Sequence, residues 1–239
     1  NVRMQAGAGG TSLAIGVFIH EILRKKGWKS KFGFGGSTRY MVEMLEQGQM
    51  EYILDAQVFD LESVESVTRN PKHVSYPVFN AYNYHSKGNL TSMMDIMILG
   101  ATEVDLNFNG NVVTHSDGYL LHGIGGWQNC LHARNVIIPL PLFRDRIPVI
   151  VDEVTTLCGP GELIDVVITE RGIAINPLRK DLIESVRNSG LPLTTIEKLK
   201  EEAERICGKP SKPVFDEKIV AAIKWVDGTI IDTVRKIKK

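Results

Sequence analysis

Cysteine is scarce in this chain: Cys130, Cys158 and Cys207 are odd in number and widely spaced. With no C-x-x-C pair, neither a disulfide framework nor a zinc site is supported, and a reducing setting is expected. An excess of charge is lacking as well, because 28 Lys and Arg balance 28 Asp and Glu. The C-terminal basic cluster Arg235, Lys236, Lys238 and Lys239 is read as a solvated tail, and with no excess of positive charge nucleic acid is not an expected partner. No run approaches the ~18 apolar residues of a membrane span, and no basic-then-apolar leader opens the chain. A soluble, cytoplasmic protein is the expectation. The chain starts at Asn1 on strand-like sequence without an initiator Met, as a piece of something longer would.

What is present favours a buried core. At 239 residues and 43% hydrophobic content the chain can fill one large domain or two small ones. No repeat, low-complexity tract or long linker divides it, and one domain over residues 1–239 is expected. The run Val2–Gln5 reads as a strand, AGAGGTS as a glycine loop, and the segment to Gly27 as a helix. The unit recurs with Lys31–Phe34, a turn at Gly35–Gly36–Ser37 and a helix carrying Met41, Met44 and Leu45. A strand at 52–54 and a helix over Asp60–Thr68 follow. DIMILGATEVD, Asp95–Asp105, reads as one buried central strand, with further strands at 136–140, 149–151, 165–169 and 172–175. Thr194 and Glu197 form a capping-box pattern that opens a helix closed by Gly208 and Pro210. This alternation predicts an α/β fold with an open, mostly parallel layered sheet.

Two glycine clusters carry the candidate chemistry. DGYLLHGIGGWQN brings Gly123, Gly125 and Gly126 into one short turn, where main-chain N–H groups approach a ligand with no Cβ in the way. Nearby, DLNFNGNVVT carries Asn107, Asn109 and Asn111, poor strand formers. A hairpin turn at Asn109–Gly110 is one reading of that composition, an Asn111 amide that orients an acyl carbonyl is the other, and the two are compatible. The second cluster, Gly7, Gly9 and Gly10, lies between strand and helix, where a phosphate or thioester carrier meets a helix N-terminus. It lacks the third glycine of a dinucleotide fingerprint and the Gly-Lys-Ser/Thr of a P-loop, so a simple packing turn explains it equally well. The six histidines show no metal spacing, and only His122, beside the glycine turn, is placed for acid–base work. Cys130 reads as a buried small hydrophobe and the methionines at 93, 94 and 97 as core filler.

The ordered set QAGAGG, TEVDLNFNGNV, SDGYLLHGIGG, RIPVIVDEVTT, GPGELIDVVITERGIAINP, LTTIEKLKEEA and DGTIIDTVRKIKK resembles, nearly end to end, the C-terminal half of the citrate lyase alpha subunit family, within the wider coenzyme A transferases. The resemblance implies the second domain of a two-domain enzyme. It implies an acetyl thioester substrate, on an acyl carrier protein's phosphopantetheine-type thiol or on coenzyme A, and no metal on this chain. Citrate, an N-terminal transferase half, an acyl carrier (gamma) subunit and a lyase (beta) subunit are the implied partners. Gly7, Gly9, Gly10, Gly35 and Gly36 are the candidate cofactor-binding residues, while by the resemblance Asn111, Gly123, Gly125 and Gly126 are catalytic. The glutamate that other coenzyme A transferases use as nucleophile would fall at or beside Gly35, where no carboxylate stands, which implies direct attack by the incoming acid. Arg39, Arg144, Arg146 and Arg171 are candidates to grip its carboxylates. The family pattern Gly-Gly-His-x-Asp reads here Gly125–Gly126–Trp127–Gln128–Asn129, and Trp127 suggests an apolar wall. A transferase for another carboxylic acid and a non-catalytic carrier-binding subunit remain the alternatives.

Overall fold

Strand and helix alternate through the first hundred residues: β1 (Val2–Ala6), α1 (Gly10–Lys26), β2 (Ser30–Ser37), α2 (Arg39–Glu46), β3 (Met50–Val58), α3 (Leu61–Arg69), β4 (His73–Ser75), α4 (Val78–Tyr82) and β5 (Ile96–Ile98). The computed structural model describes residues 2–7, 10–83, 85 and 89–238. The chain falls into two units, Asn1–Leu99 with His132–Val136, and Gly100–Leu131 with Ile137–Lys239.

In the first unit the strands lie in the order β5-β1-β2-β3-β4, and each neighbouring pair is parallel. Helix α1 stops where Gly27, at φ +62°, lets the N–H of Trp28 donate back to the Leu23 carbonyl at 2.9 Å. Helix α2 buries Met41, Val42, Met44 and Leu45 against Met4, Met50 and Ile53, while Glu43 and Glu46 stay exposed. Burying such side chains contributes about 2 kcal/mol each. The Asp60 carboxylate caps α3 by accepting from the Ser63 N–H at 2.8 Å.

Two sequence expectations are corrected within this order. Gly35–Gly36–Ser37 is no turn but the end of β2, paired with β3 through a bulge between Gly35 and Gly36. The run 95–105 is not one strand either: β5 ends at Ile98, and Glu103–Asp105 forms the separate strand β6 beyond Gly100.

The second unit continues with β7 (Gly110–Asn111), α5 (Trp127–Cys130), β8 (Val136–Pro139), β9 (Phe143–Arg144), β10 (Ile147–Pro148), β11 (Ile150–Val151), β12 (Val166–Thr169), β13 (Gly172–Ile175), α6 (Lys180–Val186), β14 (Leu193–Thr194), α7 (Ile196–Cys207), β15 (Phe215–Lys224) and β16 (Ile230–Ile237). Strand β8 pairs parallel with β12, β12 turns back antiparallel into β13, and β13 pairs parallel with β14. Strand β6 lies between β11, parallel to it, and β7, antiparallel. Helix α7 opens one residue later than the sequence pattern suggested. Thr195 is its N-cap, accepting from the Lys198 N–H, and Thr194 belongs to β14. The basic C-terminus is likewise no loose tail, since Arg235 and Lys236 are exposed residues of β16 in an antiparallel hairpin. The α/β class with an open, mostly parallel sheet is the fold observed.

Candidate functional site

In the second unit, strands β6 and β7 form a tight hairpin whose turn is built by one carboxylate. Asp105 Oδ1 accepts from the N–H groups of Asn107 and Asn109, both at 2.9 Å, and Asp105 Oδ2 accepts from the Asn109 side chain at 3.0 Å. Phe108 takes the left-handed conformation at φ +63°, so the hairpin expected at Asn109–Gly110 exists with its turn slightly earlier. Gly110 is already in β7, and a Cβ there would press on the Trp127 ring.

Asn111 is fully buried. Its Nδ2 donates to Glu103 Oε2 at 2.8 Å and to Thr114 Oγ1 at 2.9 Å, and its Oδ1 accepts from the N–H groups of Val113 and Thr114. A side-chain amide has two protons, and both are engaged. Within the chain Asn111 thus braces the strand and donates to the buried Glu103 carboxylate, rather than presenting a free amide to an acyl carbonyl. Glu103 is also held by the N–H and hydroxyl of Thr155 at 2.8 and 3.1 Å.

From Asn111 a short ladder runs to the glycine turn. The His115 N–H donates to the Tyr119 carbonyl and the Leu121 N–H to the Val113 carbonyl, leaving Tyr119, Leu120 and Leu121 exposed. Beyond it, no described residue accepts from the N–H groups of Gly123, Ile124, Gly125 or Gly126. A Cβ added at Gly123 or Gly125 would meet nothing within 4 Å. Gly125 needs its lack of side chain for φ +58°, but Gly123 is required neither by packing nor by a left-handed backbone. Four unengaged donors on an open, Cβ-poor turn are suited to an oxyanion.

Trp127 does not wall this turn. Its ring lies buried against the backbone of Gly110 and Gly159, and Nε1 donates to the Gly100 carbonyl at 2.8 Å. The exposed His122 has its Nδ1 2.9 Å from the Gly123 carbonyl oxygen, at the edge of the turn.

In the first unit the cofactor glycines separate. The Gly7 N–H donates to the Ile98 carbonyl at 2.9 Å, so it extends the strand ladder and is unavailable to a ligand. Gly10, the first residue of α1, is exposed with open space around it, and no acidic residue occupies that first turn. Gly9 lies outside the described residues. Gly35 and Gly36, expected to bind the cofactor, are buried in β2, with the Gln5 side chain over the first and the Phe59 ring over the second. One carboxylate stands across from Gly35 in strand register, that of Asp55. It is buried and accepts from Ser37 Oγ at 2.8 Å and the Gln57 N–H at 2.6 Å, with His73 Nε2 at 3.1 Å, so it is a structural anchor with its oxygens engaged.

Arg39, Arg144, Arg146 and Arg171 form no ion pair with a described residue, and Arg39 rests on the Tyr40 ring. Cys130 is buried and desolvation pushes its thiol up to about 12. Among the described residues no group of three or more His, Cys, Asp or Glu is placed to hold a metal ion. None of their helices is long and apolar enough to cross a membrane.

The model of the family "Citrate lyase, alpha subunit (CitF)" matches residues 1–237. The chain belongs to the citrate lyase alpha subunit family. It is 42% identical over 236 residues to the citrate lyase alpha chain of Haemophilus influenzae, covering 98% of this chain and 47% of that one. The chain thus spans about half the length of the curated relatives it matches. Its backbone superposes with a TM-score of 0.98 on a Streptococcus mutans citrate lyase alpha subunit solved with citrate, at 44% identity, over 100% of this chain and 47% of that one. RipA from Yersinia pestis shares the fold alone, with a TM-score of 0.62 and 14% identity over 85% of this chain and 49% of its own.

For a citrate lyase alpha family member, the residues that sequence reasoning passed over are the buried acids. Glu103 and Asp105 alternate with Val104 inside an apolar run, and charged residues at that spacing on a fully buried strand demand partners. That spacing was the available signal.

Proposed function

We propose that residues 1–239 are the second, C-terminal half of a two-domain cytoplasmic transferase that exchanges acetate for citrate on a carrier thiol. The other half, an acyl carrier subunit and a lyase subunit are its partners in cleaving citrate to oxaloacetate and acetate. Family membership supports the reaction class, and the run of unengaged N–H groups from Gly123 to Gly126 is the observation that carries the chemistry. A citrate carboxylate attacks the acetyl carbonyl of the thioester substrate, and the tetrahedral oxyanion collapses to a mixed citric–acetic anhydride with loss of the thiol. Return of that thiol to the citryl carbonyl releases acetate. Both tetrahedral oxyanions require fixed donors, each worth ~3–4 kcal/mol, and the glycine turn supplies them. Direct attack agrees with the engaged state of Asp55, since the acid then brings its own nucleophile. Gly10, open at the start of α1, is suited to an anionic group of the carrier arm.

The full-length protein, incubated with acetyl-coenzyme A and citrate and followed by mass spectrometry, is expected to form citryl-coenzyme A. Absence of product across citrate and other tricarboxylic and hydroxy acids rejects the reading. Product with another acid in preference to citrate replaces the substrate and keeps the class.

A further inference from the structure

Gln5 is only 7% exposed, yet its amide is unused. Its Oε1 is enclosed without a hydrogen-bond partner, and no described residue accepts from its Nε2. Buried side-chain amides are normally paired, and one with neither end engaged points to a missing partner. Gln49 Oε1 and Ser63 Oγ are orphaned too, but Gln49 precedes β3 at the amino end of the strands and Ser63 is on α3. Gln5 alone of these stands at the carboxyl end of β1.

That place has general significance. The order β5-β1-β2-β3-β4 means the chain runs outward from β1 on one side and then returns to its other side with β5. Ligands of open parallel sheets bind beyond the carboxyl ends of the strands at such a reversal. Next to Gln5, at the carboxyl end of β2, Gly35 adopts φ +97°, and its missing Cβ would sit 3.2–3.3 Å from Gln5 Cγ, Cδ and Nε2. A side chain there would crowd the amide.

The chemistry of the partner follows from the shape of a primary amide, which offers an acceptor and a donor side by side. A trans secondary amide, as in a pantetheine arm, points its N–H and C=O in opposite directions and meets only one of the two. A 2-hydroxycarboxylate presents a hydroxyl donor and a carboxylate acceptor on the same edge, the complement of both. We propose that Gln5 is a specificity-determining residue that reads a 2-hydroxycarboxylate, its Oε1 accepting from the hydroxyl and its Nε2 donating to the adjacent carboxylate. This rests on the transferase reading for the identity of the acid, citrate.

The test uses the full-length protein with citrate and with tricarballylate, which is citrate without the hydroxyl, measuring equilibrium binding by calorimetry and thioester exchange by mass spectrometry. Wild type is expected to prefer citrate by roughly 10- to 100-fold, the value of one or two hydrogen bonds to a charged ligand. Gln5→Met, close in volume, is expected to erase that preference and raise KM for citrate by a similar factor while leaving KM for acetyl-coenzyme A unchanged. Gln49→Met is expected to change neither. A Gln5→Met protein that keeps the preference overturns the inference, as does one that loses thermal stability and weakens both acids equally, which assigns the amide to a protein partner. Preferential citrate binding lost in Gln5→Met, without citryl-coenzyme A in wild type, sustains the inference and rejects the transferase reading.

Discussion

Asn111 Nδ2 donates to Glu103 Oε2 at 2.8 Å with both residues fully buried, and this bond ties β7 to β6 at the root of the segment that leads to the glycine turn. Replacing Asn111 by Ala removes two donated and three accepted bonds, and leaves Glu103 short of a partner in a low-dielectric site. Unfolding in urea is expected to show a loss of about 2–4 kcal/mol. An unchanged midpoint with exchange abolished would instead return Asn111 to a substrate role.

The glycines of the turn separate backbone need from access need. Gly123→Ala places its methyl in open space with no strained φ, so stability is expected to stay within ~0.5 kcal/mol while exchange falls about 100-fold as the N–H edge is covered. Gly125→Val, at φ +58°, is expected to cost a further ~1–2 kcal/mol and abolish exchange. Thermal unfolding alongside citryl-coenzyme A formation measures both, and full turnover by Gly123→Ala would remove the turn from the chemistry.

Arg3 binds Asp95 through its backbone N–H at 2.8 Å and two guanidinium bonds at 2.9 Å. The guanidinium bonds hold the Asp95 carboxyl below its ordinary range, although partial burial opposes this. The unfolded chain then takes up the proton more readily than the folded one. The contribution is therefore complete above the unfolded value of about 4 and disappears as pH falls through the folded one. Arg3→Met is expected to flatten this acid limb in urea midpoints recorded from about pH 6 down to about pH 2. An acid limb identical to wild type would show that the pair contributes nothing.

Desolvation raises the thiols of Cys130 and Cys158 to about 12 and about 11, whereas Cys207 ends α7 half-buried. Only the thiolate reacts, so iodoacetamide near neutral pH is expected to label Cys207 first and the other two on unfolding. Peptide mass spectrometry reads the order, and early labelling of Cys130 in folded protein would contradict its burial.

The alternation of strands and helices was legible because period and glycine punctuation are local properties, as at α1 with Gly27 and α7 with Gly208. The break in 95–105 was not, because β5 and β6 are both largely buried and the change of pairing partner, β1 for one and β11 for the other, is not a local property. Motif likeness to the citrate lyase alpha subunits was legible for the same reason as the helices: it lies in the order of residues along the chain.

The sequence by itself determined the α/β class, the family and the position of the glycine turn, since each is written in local composition and spacing. Only the tertiary structure decided which polar groups are engaged. It turned Asn111 inward onto Glu103, placed Gln5 over Gly35, buried Trp127 against Gly110 and left the N–H groups from Gly123 to Gly126 open. A hydrogen bond between residues distant in sequence depends on packing, and packing is what spacing along one strand does not specify.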